Sequence, residues 1–165
     1  MLESGSREER TVFGWLKKKR EPRCTEDPVF GRLTFISAKD PSLSYWEGKG
    51  RFSPVAADIF FEISAEEERV PGESRRQVYR RIVERYGELL VAVTPLLQRE
   101  YGTAQAVDDS LPRDVIFCLE TLSVPERESD SMKWAMHFSC SDGGDWLLTV
   151  HMLGWQPTGK ISVMD

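Results

Sequence analysis

One segment limits what this 165-residue chain can fold into. Between Ser74 and Tyr101, Val78, Ile82, Val83, Tyr86, Leu89, Leu90, Val93 and Leu97 recur at three- and four-residue steps. That spacing puts them in one apolar stripe along a helix. Ser74 and Gln77 have capping-box spacing, in which a hydroxyl and an amide each satisfy a backbone group left over at the helix start. Thr94-Pro95 should kink the helix, because proline removes one backbone bond and crowds the preceding turn. Tyr101-Gly102 should close it with a left-handed glycine cap. A lone helix with one apolar stripe needs one surface to cover, and the flanking segments read as the strands that supply it.

Phe30 to Ile36, Tyr45 to Phe52 and Asp58 to Ser64 precede the helix as strands; Asp114 to Val124, Met132 to Cys140 and Trp146 to Leu153 follow it, with a short Ile161 to Met164 strand last. In the second of these, Trp46, Gly48, Gly50 and Phe52 share a face opposite Tyr45, Glu47, Lys49 and Arg51. Two glycines on an inner face imply a close neighbour above them, and the helix is the expected occupant. Most connections are too short for crossovers, so the strands should pair mainly antiparallel. The fold class expected is α+β: a mostly antiparallel sheet of about six strands with one long helix packed across one face. Residues 28–165 should form this single domain. Residues 1–27 are polar and charged and read as a flexible arm, in which Lys17-Lys-Lys-Arg20 after Phe13-Gly-Trp-Leu16 offers a weak means of touching an acidic membrane surface.

Composition excludes several classes. A net charge of −5 opposes a general affinity for nucleic acid. No apolar run approaches the ~20 residues of a membrane span, and no secretory signal is visible at the N-terminus. Cys24, Cys118 and Cys140 are widely spaced and form no Cys-x-x-Cys pair, which points to a reducing cytoplasm rather than a disulfide framework.

Motifs that could carry chemistry are few. His137 and His151 are the only histidines and sit on adjacent strands. Pairing Phe138 with Val150 would place them directly opposite one another across a Gly143-Gly-Asp145 loop, within reach of one metal ion. A third ligand would have to come from Glu62 or Glu120. Gly154 to Lys160 matches the first seven positions of a phosphate-binding loop, but Ile161 stands where a magnesium-binding Ser or Thr belongs, so a turn between strands explains it better. Asp58 and Glu62 share a strand face as a pair of glycosidase acids would, yet outer strand faces commonly carry such residues for solubility. Cys140 falls in the core phase of its strand, as an inert buried thiol would. No catalytic residue set and no cofactor emerge. The strongest surface candidate is the ladder Arg75, Arg76, Arg80, Arg81 and Arg85, which could receive an acidic protein partner. Interleaved glutamates, with Arg80 and Glu84 four residues apart, also allow a solvated, salt-bridged face.

Phe13-Gly-Trp-Leu-Lys-Lys-Lys19, Asp27-Pro-Val-Phe-Gly-Arg-Leu33, Tyr45-Trp-Glu-Gly48 and Val150-His-Met-Leu-Gly-Trp-Gln-Pro157 together resemble a family of small uncharacterised bacterial proteins. The resemblance implies no catalytic residues. By analogy with small acidic bacterial immunity proteins, it suits a non-catalytic binding or adaptor module acting through an exposed sheet face or the arginine ladder. The alternative is a small enzyme or metal-binding protein centred on His137 and His151.

Overall fold

A computed structural model describes residues 23–65, 69–105, 116–141 and 146–164. Eight strands form one sheet whose spatial order follows the chain: β1 (Cys24–Asp27), β2 (Gly31–Ile36), β3 (Tyr45–Phe52), β4 (Ala57–Ser64), β5 (Phe117–Val124), β6 (Lys133–Cys140), β7 (Leu147–Leu153) and β8 (Gln156–Met164). Helix α1 (Glu73–Gln105) lies between β4 and β5 in sequence. Every neighbouring pair is antiparallel except β4 and β5, which run parallel with Phe60 opposite Thr121 and Ile63 opposite Val124. A parallel pair needs a long connection, and α1 is that connection. The α+β class and mainly antiparallel sheet are as expected. The strand total rises from about six to eight because β1 lies within the segment read as an arm and Gln156–Met164 is longer than the four residues expected. Residues 1–22, including the Lys17–Arg20 block, lie outside the described residues.

The apolar stripe packs as its spacing requires. Val78, Ile82, Tyr86, Leu89, Val93 and Leu97 are buried, and Val83 and Leu90 pack partly buried against the same core. Tyr79, outside that stripe, is also buried, with its ring 5.2 Å from Phe30 and 5.4 Å from Phe61 in edge-on contacts. Trp46, Phe52, Ile59, Phe61, Leu122, Met136, Phe138, Leu148 and Val150 complete the core from the sheet. Among the described residues, no helix lies on the opposite sheet face.

Several local expectations are corrected. The helix already includes Glu73, so Ser74 lies inside it and is not an N-cap. It continues past Gly102 to Gln105, and Gly102 does not take up a left-handed conformation. Pro95 lies inside the helix, and beside it the Thr94 hydroxyl donates to the Leu90 carbonyl one turn back at 2.7 Å, in keeping with a local disturbance of the backbone ladder there. The close neighbour above Gly48 is Leu33 and not the helix: a Cβ there would run into Leu33 Cδ2. At Gly50 the neighbours are the Phe61 ring and the Phe30 carbonyl. The glycines therefore let the β1–β2 turn fold down onto β3.

Asp27 fixes that turn. One carboxylate oxygen accepts from the backbone N–H of Val29 at 2.8 Å and of Phe30 at 3.1 Å. The other receives Arg76 Nε and Nη2 at 3.2 and 2.9 Å, binding the helix to the turn. At the far end of the sheet, Gly154 (φ +55°) turns the chain from β7 into β8; its N–H reaches Met132 O at 2.8 Å and its carbonyl accepts from Trp134 Nε1 at 2.7 Å. Thus Gly154 to Lys160 forms a turn and the beginning of a strand, as its sequence favoured over a phosphate loop.

Candidate functional site

The five arginines of the ladder are distributed among separate internal contacts. Arg75 Nη1 donates to Ser64 Oγ at 3.1 Å and to the Val124 carbonyl at 3.5 Å. Arg76 binds Asp27, Glu73 and the Pro71 carbonyl. Arg80 turns back to Glu73 at 2.7 Å instead of meeting Glu84. Arg81 lies 3.7 Å from Glu128. Arg85 pairs with Glu88 and stacks over Trp155, its guanidinium carbon 4.6 Å from the ring centre. Trp155 in turn donates to Glu128 at 3.1 Å and meets Trp134 edge-on. The ladder fastens the helix to β1, β4, β5 and the loops around β6 and β7.

The histidines lie on the helix-free face, but not opposite each other. Phe138 pairs with Leu148 rather than Val150, so His137 faces Thr149 and His151 faces Ala135. The pairing is displaced by two residues from the expected one, a step that keeps every side chain on its own face and changes only its cross-strand partner. On the other edge of β6, Ser141 continues the pairing with β5: its N–H donates to Ile116 O and its hydroxyl accepts from Ile116 N–H, both at 3.0 Å. Residues 142–145, and with them the expected Gly143-Gly-Asp145 loop, lie outside the described residues. His137 Nδ1 is 2.8 Å from Thr149 Oγ1, and its Nε2 is buried with no hydrogen-bond partner among the described residues. Burial, followed by the nearby His151, pushes the His137 pKa down. His151 Nε2 is 2.9 Å from Ser162 Oγ. Glu120 is occupied by Ser139 at 2.6 Å. Among the described residues no group of three His, Cys, Asp or Glu side chains could hold a metal ion.

The helix-free face has a second feature. Glu47 on β3 stands directly opposite Glu62 on β4, flanked by Tyr45 and Ser64. Both carboxylates are half-buried, and neither makes a salt bridge among the described residues. Burial, then the charge of Glu47, raises the Glu62 pKa. Burial also raises the Tyr45 pKa, with both glutamates contributing. Like charges directly opposed across a ladder are destabilising. Phe60, 41% exposed, lies on the same face between Asp58 and Glu62, with the Lys49 ammonium 5.2 Å from its ring centre. The sequence shows which residues alternate outward but not which become neighbours. The four-residue connection between β3 and β4 was the available signal, because a short antiparallel hairpin fixes Arg51 against Asp58 and hence Glu47 against Glu62.

Comparison with family models, curated proteins and solved structures yields no match. Among the described residues no helix is long and apolar enough to cross a membrane.

Proposed function

We propose that this protein is a non-catalytic binding module, of adaptor or immunity-like character, whose helix-free sheet face docks onto a cationic surface of a protein partner. The observation that supports this reading is the opposed pair Glu47 and Glu62: half-buried, like-charged and, among the described residues, without a salt bridge. A lysine or arginine from a partner would relieve that repulsion, and Phe60 and Tyr45 supply apolar area around it. The arginine ladder is the weaker candidate surface, since each member already has an internal contact. Three cysteines outside any disulfide suit a cytoplasmic setting.

A photo-cross-linking side chain at Thr121, on this face, compared with one at Val91, on the outer side of the helix, tests the reading in cells. The expected result is a discrete protein adduct from position 121 that disappears with Glu47→Lys and Glu62→Lys together. Equal adducts from both positions, or an adduct indifferent to charge reversal, would sink it. Glu62→Gln should also raise stability by about 0.2–1 kcal/mol, as expected when a binding residue is held at a cost to the fold.

A second reading, a metal site at His137 and His151, draws on the unpartnered Nε2 of His137. Zinc at well under one equivalent in the purified protein, unaltered by His151→Ala, would remove it.

A further inference from the structure

One row of residues on the helix-free face runs from the first strand to the middle of the sheet. Cys24 on β1 stands opposite Thr34 on β2, Thr34 opposite Glu47 on β3, and Glu47 opposite Glu62 on β4. Residues directly opposed across a ladder share a face, so the acidic pair lies on the line along which the chain enters the sheet. The backbone is held there back to Arg23, whose carbonyl accepts from the Phe35 N–H at 2.8 Å. Just before it in sequence stands Phe13-Gly-Trp-Leu-Lys-Lys-Lys-Arg20, four consecutive cations behind an apolar stretch, in a chain whose net charge is −5. We infer that this segment, Phe13 to Arg20, is the face's own occupant: it crosses β2 to β4 with its cations at Glu47 and Glu62 and competes there with the protein partner. The competition rests on the docking reading; the contact itself does not.

Reach, charge and apolar surface each support the assignment. Neighbouring strands lie about 4.8 Å apart, which puts Glu47 roughly 10 Å and Glu62 roughly 14 Å from β1 along the row. Arg20 precedes Cys24 by four residues and Lys17 by seven, so at about 3.3 Å per extended residue they reach roughly 13 and 23 Å. The cations therefore reach both carboxylates with slack for the bend back over the face.

The cations already on this part of the face are engaged away from the pair. Arg32 Nη2 lies 3.9 Å from Cys24 Sγ, Lys49 sits over the Phe60 ring, and Arg51 stands opposite Asp58. Glu47 and Glu62, half-buried and without a salt bridge among the described residues, are left as the acidic point that a cationic segment would neutralise. Trp15 and Phe13 precede the cations and fall within reach of Phe60, 41% exposed on β4, which offers them apolar surface. A segment tethered this closely is present at an effective concentration of order millimolar, so even a modest attraction fills the face for a large share of the time.

The test compares amide NMR spectra of the full chain with those of a variant carrying Lys17→Gln, Lys18→Gln, Lys19→Gln and Arg20→Gln together. The expected result is shift differences at Thr34, Glu47, Phe60 and Glu62, none along α1, and the same differences at every protein concentration. Added salt should move these amides of the parent toward their positions in the variant, since the Debye length falls from about 8 Å at physiological ionic strength to about 3 Å at ~1 M. Differences confined to the substituted residues and their sequence neighbours, or spread equally over α1, would overturn the assignment. Differences that vanish on dilution would give the contact to a second copy and overturn it as well. In cells, the variant should yield about twofold or more of the partner adduct from position 121, and an equal yield would refute the competition. The two readings fail separately. Shift differences with no adduct from either chain would sink the docking reading alone, and an adduct without shift differences would sink the contact alone.

Discussion

Replacing Gly154 with alanine should destabilise the protein more than the same change at Gly159, and the difference measures how closely the β6 approach packs on the β7–β8 turn. Both glycines have positive φ, +55° and +79°, so alanine meets a left-handed penalty of about 1–2 kcal/mol at either position. At Gly159 a Cβ would meet nothing within 4 Å. At Gly154 it would lie 2.9 Å from the carbonyl oxygen of Asp130 and 3.4 Å from two more backbone atoms of that residue. Backbone cannot rotate away as a side chain does. Retreat is also opposed by the Gly154 N–H bond to Met132 O, which ties the turn to the segment it would have to leave. Overpacking of this kind adds about 1–3 kcal/mol. The expected costs are therefore about 2–5 kcal/mol for Gly154→Ala and about 1–2 kcal/mol for Gly159→Ala. Urea unfolding would read the difference as a lower midpoint at unchanged slope. Costs equal to within about 0.5 kcal/mol would show that the approach of Asp130 is not a constraint and refute the reasoning.

Arg76→Ala should cost about 1.5–3 kcal/mol, because it strands the Asp27 carboxylate, whose side chain is 3% exposed. Burial pushes the Asp27 pKa up, but Arg76 and the Val29 and Phe30 N–H groups outweigh it and leave it lowered. This contribution is present above the ordinary carboxylate range and lost as pH falls through the folded value, so acid unfolding curves should show a smaller loss in Arg76→Ala than in the parent. His137 has a lowered pKa, so the unfolded chain takes up its proton first and stability should fall as pH drops from about 7.5 to 5.5. His137→Gln should flatten that slope, and identical slopes would count against the assignment. Pro95 is exposed, so Pro95→Ala loses no core contact and restores a backbone donor toward Val91. A gain of about 1–3 kcal/mol is expected in chemical unfolding, and a loss would show that the proline is required where it stands.

The helix was legible because eight apolar residues at regular spacing leave only one face to bury. The strand phases were legible for the same reason: Trp46, Phe52, Phe61, Met136 and Phe138 alternate into the core as their sequence implies. What escaped were features set by neighbours distant in sequence. β1 is short and charged, and only its pairing with β2 makes it a strand. The histidine register differs from the expected one by two residues, a step that leaves the alternation of faces unchanged and so leaves no mark in the sequence pattern. The arginine ladder was recognised as a series, but its partners Asp27, Ser64, Glu128 and Trp155 lie on other elements.

That seam has a kinetic consequence. β1 to β4 and β5 to β8 are each a run of nearest-neighbour hairpins, which close over short loops and assemble quickly. Joining Phe60–Ile63 to Thr121–Val124 must instead gather a chain segment more than fifty residues long, at an entropy cost that neither half meets alone. The rate-limiting step of folding is thereby placed at the midline, where Leu122 and Phe61 should acquire their native contacts only as the two halves zip together.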